Sequence, residues 1–130
     1  MTREMTLAID CGGGGIKGSV VDERGTMMAP ARRVPTPYPL PPELLVETAV
    51  GLAKELPPAT RVTMGMPGMI RHGGVIATPH YITRDGPRSR VLPELVERWD
   101  HFDMGRAIEQ ALSLPTKVLN DAEVAGAGAI

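Results

Sequence analysis

The sequence is poor in cysteine, in net charge and in long apolar runs, and each shortage excludes a class of protein. With 14 basic against 15 acidic side chains, the net charge is −1, so the basic surface of a nucleic-acid-binding module is missing. The one cysteine, Cys11, cannot form an intramolecular disulfide. The first residues lead into an apolar stretch too short for a signal peptide or a membrane span. We therefore expect a cytoplasmic protein that binds neither nucleic acid nor membrane.

Glycine and proline, in contrast, are abundant. The 15 glycines and 13 prolines approach the proportion typical of disordered chains. They cluster in short turns and at the ends of apolar segments, however, which is the placement found in folded domains. The 130 residues are thus expected to form one domain with a core of its own.

The hydrophobic pattern predicts an α/β fold. Three strands form an antiparallel meander, and helices and strands then alternate, which predicts a mixed five-stranded sheet in the order 3-2-1-4-5 with flanking helices. The predicted strands are Met5–Cys11, Ile16–Asp22, Thr26–Val34, Arg61–Met66 and Thr116–Leu119. A hairpin is expected from Met69–Ile70 and Val75–Ile76. Helices are predicted to start near Glu43, at Leu92, after the N-cap Asp103 and after Asp121.

A glycine-rich loop follows the first strand. Its sequence, Asp10-Cys11-Gly12-Gly13-Gly14-Gly15-Ile16-Lys17, places a carboxylate at a strand end, then bare backbone N–H groups, then a cation. Such a loop can hold a phosphate group, but four glycines are also ordinary composition for a hairpin tip. The spacing matches neither the Walker loop nor the dinucleotide fingerprint, because a strand follows it.

A second group of polar residues follows the last strand, in Val118-Leu119-Asn120-Asp121-Ala122-Glu123. Asn120 is a good helix N-cap, and acids in a first turn complement the helix dipole. Alternatively, Asp121 projects from the carboxyl end of a strand into the crevice where open α/β sheets bind ligands, and serves there as a general base.

Taken in order along the chain, these segments resemble the ROK (repressor, open reading frame, kinase) family of sugar kinases, and most closely its glucokinase and polyphosphate glucokinase branch. The first loop is similar to the family's D-x-G-G-T-x-x-K phosphate loop. Gly65-Met66-Pro67-Gly68-Met69-Ile70 resembles the G-x-P-G-x-[VI] loop beside the sugar, and the Asn120-Asp121 segment resembles V-x-N-D-A. The resemblance implies the actin-like ATPase (ribonuclease H-like) fold.

The resemblance also implies a role for each matched residue in phosphoryl transfer from ATP or polyphosphate to a sugar hydroxyl. Asp10 would orient a hydrated Mg²⁺, the backbone of residues 12–15 would contact the transferred phosphate, and Lys17 would neutralise its charge. Asn120 and the Gly65, Pro67 and Gly68 loop would bind the sugar. Asp121 would also contact the sugar and would be the catalytic base. These roles are the ones that phosphoryl transfer needs.

Three departures from the family pattern leave the substrates open. Gly14 stands where the family usually has Thr, which removes a hydroxyl from the phosphate loop, and His80 stands where relatives usually carry a sugar-side Asn. The charged stretch Tyr81–Arg98 resembles an insertion and is expected to be a solvated loop. Neither the sugar nor the choice between ATP and polyphosphate follows from these residues.

The length also departs from the family, whose members have two lobes. Residues 1–130 are interpreted as the N-terminal lobe, with the C-terminal lobe absent, and we expect negligible turnover from this lobe alone. A homodimer is expected for the full-length protein. No protein-ligated metal is expected, and His101, beside Trp99 and Phe102 in the sequence, is predicted to pack at a helix start. The alternatives are a non-catalytic sugar- or phosphate-binding module and a sugar-responsive regulator of the same family.

Overall fold

A five-stranded sheet in the order β3-β2-β1-β4-β7 forms the centre of the computed structural model, which describes residues 4–71, 74–78, 81–86 and 88–120. The strands are β1 (Thr6–Cys11), β2 (Gly15–Val21), β3 (Arg32–Pro35), β4 (Arg61–Met66), β5 (Met69–Arg71), β6 (Gly74–Ala77) and β7 (Thr116–Asn120). The helices are α1 (Pro42–Lys54), α2 (Pro93–Trp99) and α3 (Met104–Leu112). Since β7 is the predicted fifth strand, the predicted order is confirmed. The β5–β6 hairpin is confirmed as well.

One face of the sheet is covered by helices. Helix α1 begins at Pro42, where a missing N–H costs nothing, and it buries Leu45 and Leu52 against the sheet. Gly18 permits this close packing, because a Cβ there would lie 3.3–3.4 Å from side-chain atoms of Leu56 and Leu52. Side chains alternate between the two faces along β1, so Ile9 lies on this covered face and Asp10 lies on the opposite face.

Helix α3 packs on the same face, against α1 and β7. As predicted, Asp103 is its N-cap, and the carboxylate accepts a hydrogen bond from the Arg106 backbone N–H at 3.0 Å. No helix long and apolar enough to cross a membrane occurs in the described ranges. The helix predicted after Asp121 lies outside the described residues.

The third strand is shorter than predicted. It comprises only Arg32–Pro35 and not Thr26–Val34. The reason is a tight turn closed by Asp22, whose carboxylate accepts hydrogen bonds from the backbone N–H groups of Arg24 and Thr26, both at 2.9 Å. These bonds commit the start of the segment to a turn. Met27 then forms a single bridge with Val21, and continuous pairing with β2 begins only at Arg32.

The prediction of a solvated loop over Tyr81–Arg98 is wrong for the apolar half of that segment. Tyr81, Thr83 and Leu95 are buried in the core, while Arg84, Arg88, Arg90 and Arg98 are exposed. A charge count cannot separate these two sets, because exposed cations and buried side chains occur in the same short segment.

The expectation that His101 packs at a helix start is also wrong. Its side chain is exposed and lies 2.8 Å from the carboxylate of Asp100. Its backbone has φ +56°, a turn conformation that directs Trp99 and Phe102 inward in its place. Those two rings contact each other with centroids 6.1 Å apart.

Candidate active site

Three of the motifs found in the sequence meet at one edge of the sheet. Strands β1, β4 and β7 are parallel, with Asp10 opposite Gly65 and Gly65 opposite Leu119. Met66 is opposite Asn120 in the next row. In open α/β sheets, ligands bind beyond the carboxyl ends of parallel strands. The glycine loop, the Gly65–Ile70 segment and Asn120 therefore lie close together, beyond the carboxyl ends of these three strands.

The glycine loop is a tight hairpin that joins β1 to β2. The Gly12 N–H donates to the Gly15 carbonyl at 2.9 Å and closes the turn. Within the described ranges, the N–H groups of Gly13 and Gly14 have no hydrogen-bond acceptor. Two successive unpaired amides at a turn form a small anion-binding concavity.

Charged side chains form a row beside the loop. Asp10 pairs with Lys17 across β1 and β2, and Lys17 pairs with Arg33 across β2 and β3. Residues paired in this way share one face of a sheet, here the face opposite α1. All three are exposed, and none forms an ion pair with another described side chain. Lys17 and Arg33, as like charges opposite each other, repel unless an anion lies between or above them.

Arg33 was missed in the sequence. A Cβ on Gly15 would overlap the Arg33 guanidinium, so the guanidinium lies directly against the glycine loop. The predicted third strand included Arg33, but the sequence did not give the pairing of β3 with β2. That pairing places Arg33 opposite Lys17 and so beside the loop.

The carbonyls of the loop are held from the helix-covered side of the molecule. The Gly12 carbonyl accepts hydrogen bonds from the hydroxyls of Thr36 and Tyr81, both at 2.9 Å, and the Gly13 carbonyl accepts one from the Tyr38 hydroxyl at 2.7 Å. Burial raises the pKa of the Tyr38 hydroxyl above its ordinary value of 10.0, so this group stays a donor at neutral pH.

The Gly65–Ile70 segment and Asn120 are in direct contact. Gly65 and Pro67 are buried, and Gly68 has φ +102°, a conformation that side chains rarely tolerate. The Asn120 side-chain amide donates a hydrogen bond to the Gly68 carbonyl. Asn120 therefore fixes the turn after β4. Asp121, the predicted base, lies outside the described residues.

One hydroxyl in the same region is unaccounted for. Thr78 is 3% exposed, and its Oγ1 has no hydrogen-bond partner in the part of the chain that the structure describes. Its carbonyl accepts from the Tyr81 N–H at 3.1 Å, three residues before the ring that supports the glycine loop. A buried polar group without a hydrogen-bond partner is rare in folded proteins, so this hydroxyl is a candidate site residue. The sequence around Thr78 gave no indication of it.

Protein ligands for a metal ion are sparse. Residues 4–71, 74–78, 81–86 and 88–120 contain no group of three His, Cys, Asp or Glu side chains that could hold one. Asp10 is an exposed carboxylate at a strand end, without a cationic partner among these residues. A single carboxylate fits a Mg²⁺ ion that keeps its water shell and is shared with a phosphate ligand.

Fold and site together define an α/β domain with a glycine-rich loop at the carboxyl edge of its sheet. The sequence model described as the ROK family matches residues 6–129, and the chain belongs to that family.

Three proteins that are similar to this chain are sugar kinases. The N-acetylmannosamine kinase of Escherichia coli K12 is 33% identical over 122 residues, which cover 92% of this chain and 37% of that protein. The inorganic polyphosphate/ATP-glucomannokinase of Arthrobacter sp. strain KM has a TM-score of 0.73 at 30% identity, over 95% of this chain and 46% of the other. A ROK family glucokinase from Streptomyces griseus, solved with glucose and AMPPNP, has a TM-score of 0.70 at 28% identity, over 94% and 35%. The chain spans less than half the length of each.

Proposed function

We propose that this chain is the N-terminal, phosphate-binding lobe of a sugar kinase, which transfers a phosphoryl group from ATP or polyphosphate to a sugar hydroxyl. The support comes from relatives whose names state this reaction class, namely an N-acetylmannosamine kinase, a glucomannokinase and a glucokinase. The division into two lobes and the homodimer of the complete protein are parts of the same proposal.

The observation that carries the proposal is the pairing of free amides with free cations. The N–H groups of Gly13 and Gly14 lack acceptors within the described ranges, and Lys17 and Arg33 stand in one cross-strand row beside them. A phosphoryl group in transfer spreads negative charge over its oxygens, and fixed donors and cations stabilise that charge. In this lobe, the backbone positions the phosphate and the two side chains neutralise it.

Mg²⁺ enters through the phosphoryl donor. Asp10 is the residue that would hold it, through water, and the ion would neutralise charge on the donor's phosphate oxygens. Asp10 also lies opposite Lys17 in the β1–β2 ladder.

The acceptor sugar is proposed to bind on the β4 and β7 side of the crevice. The Asn120 side-chain amide donates to the Gly68 carbonyl, which places Asn120 beside the Gly65–Ile70 segment, and we propose that it hydrogen-bonds a sugar hydroxyl there. Asp121, the next residue, is proposed to accept the proton of the attacking hydroxyl. The Thr78 hydroxyl, which has no hydrogen-bond partner among the described residues, is a further candidate for a sugar contact.

Polyphosphate is proposed as a phosphoryl donor beside ATP. A long polyanion gains more from a second cation than a single phosphate does, and Arg33 supplies one against the loop. The glucokinase and polyphosphate glucokinase branch is the corresponding proposal, supported by the likeness to the polyphosphate/ATP-glucomannokinase.

The test is a phosphorylation assay of the complete protein with ATP and with polyphosphate against glucose, mannose and N-acetylmannosamine. Asp121→Asn keeps the size and helix-capping capacity of the side chain and removes its basicity, so kcat should fall about 100-fold or more while the sugar KM changes little. The matched control is Asp103→Asn, the same substitution at the observed N-cap of α3, which should leave kcat unchanged.

A non-catalytic sugar- or phosphate-binding module is the second candidate, favoured by Gly14, where the loop lacks a hydroxyl. It predicts binding of sugar or phosphate by the complete protein without turnover of any donor and sugar pair. Normal turnover in Asp121→Asn would instead leave the kinase proposal in place and remove the assignment of the base.

A further inference from the structure

The orientation of the glycine loop is set by three hydroxyl groups that come from distant parts of the chain. Thr36 and Tyr81 donate to the Gly12 carbonyl, and Tyr38 donates to the Gly13 carbonyl. In a trans peptide, the carbonyl of one residue and the N–H of the next point in opposite directions. Because the carbonyls of the 12–13 and 13–14 peptides point toward the hydroxyls, the N–H groups of Gly13 and Gly14 point away from them.

These two N–H groups are the ones left without an acceptor in the described part of the chain. The Gly12 N–H, in contrast, is used within the hairpin by the Gly15 carbonyl. The hydroxyl bonds therefore have a different role from the Gly12–Gly15 bond that closes the turn. They turn two peptide planes so that both free donors face the same side of the loop, which is the arrangement that binds an anion.

The hydroxyl oxygens have fixed positions because their rings are packed. Tyr81 is fully buried, with its ring centroid 5.7 Å from Trp99 and 6.4 Å from Tyr38. The Trp99 indole N–H is itself bonded to the Leu40 carbonyl at 2.8 Å. Gly86, at φ +113°, lies against the Tyr38 ring, and a Cβ there would come within 3.2 Å of it. A hydroxyl on a ring held from several sides loses little further freedom when it bonds to the loop.

We infer that Tyr38 and Tyr81 are positioning residues for the phosphoryl donor, since their hydroxyls orient the Gly13 and Gly14 amides toward its phosphate. The inference rests on the proposed function and extends it to two residues outside the family motifs. It also explains how a loop of four glycines, none of which has a side chain to restrain it, keeps one conformation.

The experiment compares Tyr38→Phe, Tyr81→Phe and the double variant with the complete wild-type protein. Phe keeps each ring and removes only the hydroxyl. One hydrogen bond of this kind corresponds to a change in affinity of about three- to tenfold, so we expect the KM for the phosphoryl donor to rise by that factor in each single variant and further in the double. The sugar KM should stay within about twofold.

Two further measurements separate positioning from general destabilisation. Thr48→Val is the matched control, because the Thr48 hydroxyl bonds to the Leu44 carbonyl inside α1, and its loss should leave the donor KM unchanged. Tripolyphosphate is then titrated while the backbone amide signals of Gly13 and Gly14 are followed by NMR. Both signals should shift in the wild type at lower concentrations than in the double variant.

Each outcome decides between the two ideas. If the wild type phosphorylates sugar and the double variant has an unchanged donor KM, the positioning role is wrong and the kinase proposal stands. If no donor and sugar pair reacts but tripolyphosphate shifts the two amides only when the tyrosine hydroxyls are present, the positioning role stands and the kinase proposal fails. If tripolyphosphate shifts neither amide in the wild type, the positioning role is overturned.

Discussion

Adding a methyl group at two positions of the glycine loop should have opposite effects on stability. At Gly14, a Cβ would meet no atom of the described residues within 4 Å, and the backbone φ is outside the left-handed region. Gly14→Ala should therefore raise the free energy of unfolding by about 0.4–1 kcal/mol, because it removes conformational freedom from the unfolded chain. At Gly12, a Cβ would lie 3.1 Å from the Gly15 carbonyl oxygen, a backbone atom that already accepts the Gly12 N–H.

Gly12→Ala should consequently lower the free energy of unfolding, since the closing hydrogen bond of the hairpin has to lengthen to relieve the contact. The assay is thermal unfolding of both variants beside the wild type. For a domain of this size, the expected change for Gly14→Ala is an increase of roughly 1–4 °C in Tm. Equal destabilisation by both variants would refute the reasoning, because it would mean that the space around Gly14 is not open.

The same open space permits Gly14→Thr, which installs the hydroxyl that the ROK pattern usually has there. If that hydroxyl contributes to donor binding in relatives, the variant should lower the donor KM in the complete protein while its sugar KM stays the same. A higher donor KM would indicate that the loop is adapted to its bare backbone.

Two other predictions concern the aromatic residues that support the loop. Trp99→Phe removes the indole N–H and leaves the buried Leu40 carbonyl without its donor. The free energy of unfolding in urea titrations should therefore fall by about 1–3 kcal/mol. An unchanged urea midpoint would contradict this prediction. Burial raises the pKa of the Tyr38 hydroxyl, so folding favours its protonated form; the corresponding stability should be complete below about pH 10 and be lost as the pH rises through the folded-state pKa. In urea titrations across that pH range, the free energy of unfolding should fall more steeply with pH in the wild type than in Tyr38→Phe. The same pH dependence in both proteins would show that Tyr38 does not contribute to it.

The sheet could be predicted from the sequence because its strands carry their own local signal. Strand β4 was predicted with the bounds that the structure has, and β7 was predicted to within one residue. Their neighbours in the sheet followed from the meander and from right-handed crossovers. The edge strand β3 was overextended, since the turn closed by Asp22 depends on side-chain hydrogen bonds that compete with strand pairing and leave no mark in the hydrophobic pattern.

The candidate site could be predicted only in part, for a different reason. The glycine loop, Gly68 and Asn120 are visible as motifs because each is a short local segment. Arg33 became recognisable only through its register opposite Lys17. Tyr81 was assigned to a solvated segment, and it contacts Gly12 across 69 positions of sequence. Contacts at such a separation depend on the completed fold, and neither composition nor periodicity encodes them.

Aromatic side chains make up only 3% of the sequence, yet all of them lie in one continuous group. Tyr38, Tyr81, Trp99 and Phe102 contact one another in that order, with centroids 5.7–6.4 Å apart, and the first two end on the glycine loop. A glycine backbone can approach a phosphate closely because it has no side chains, and for the same reason it cannot restrain itself. The information that orients such a loop has to be carried by other residues, and here it is carried by the largest and most rigid side chains that the chain contains.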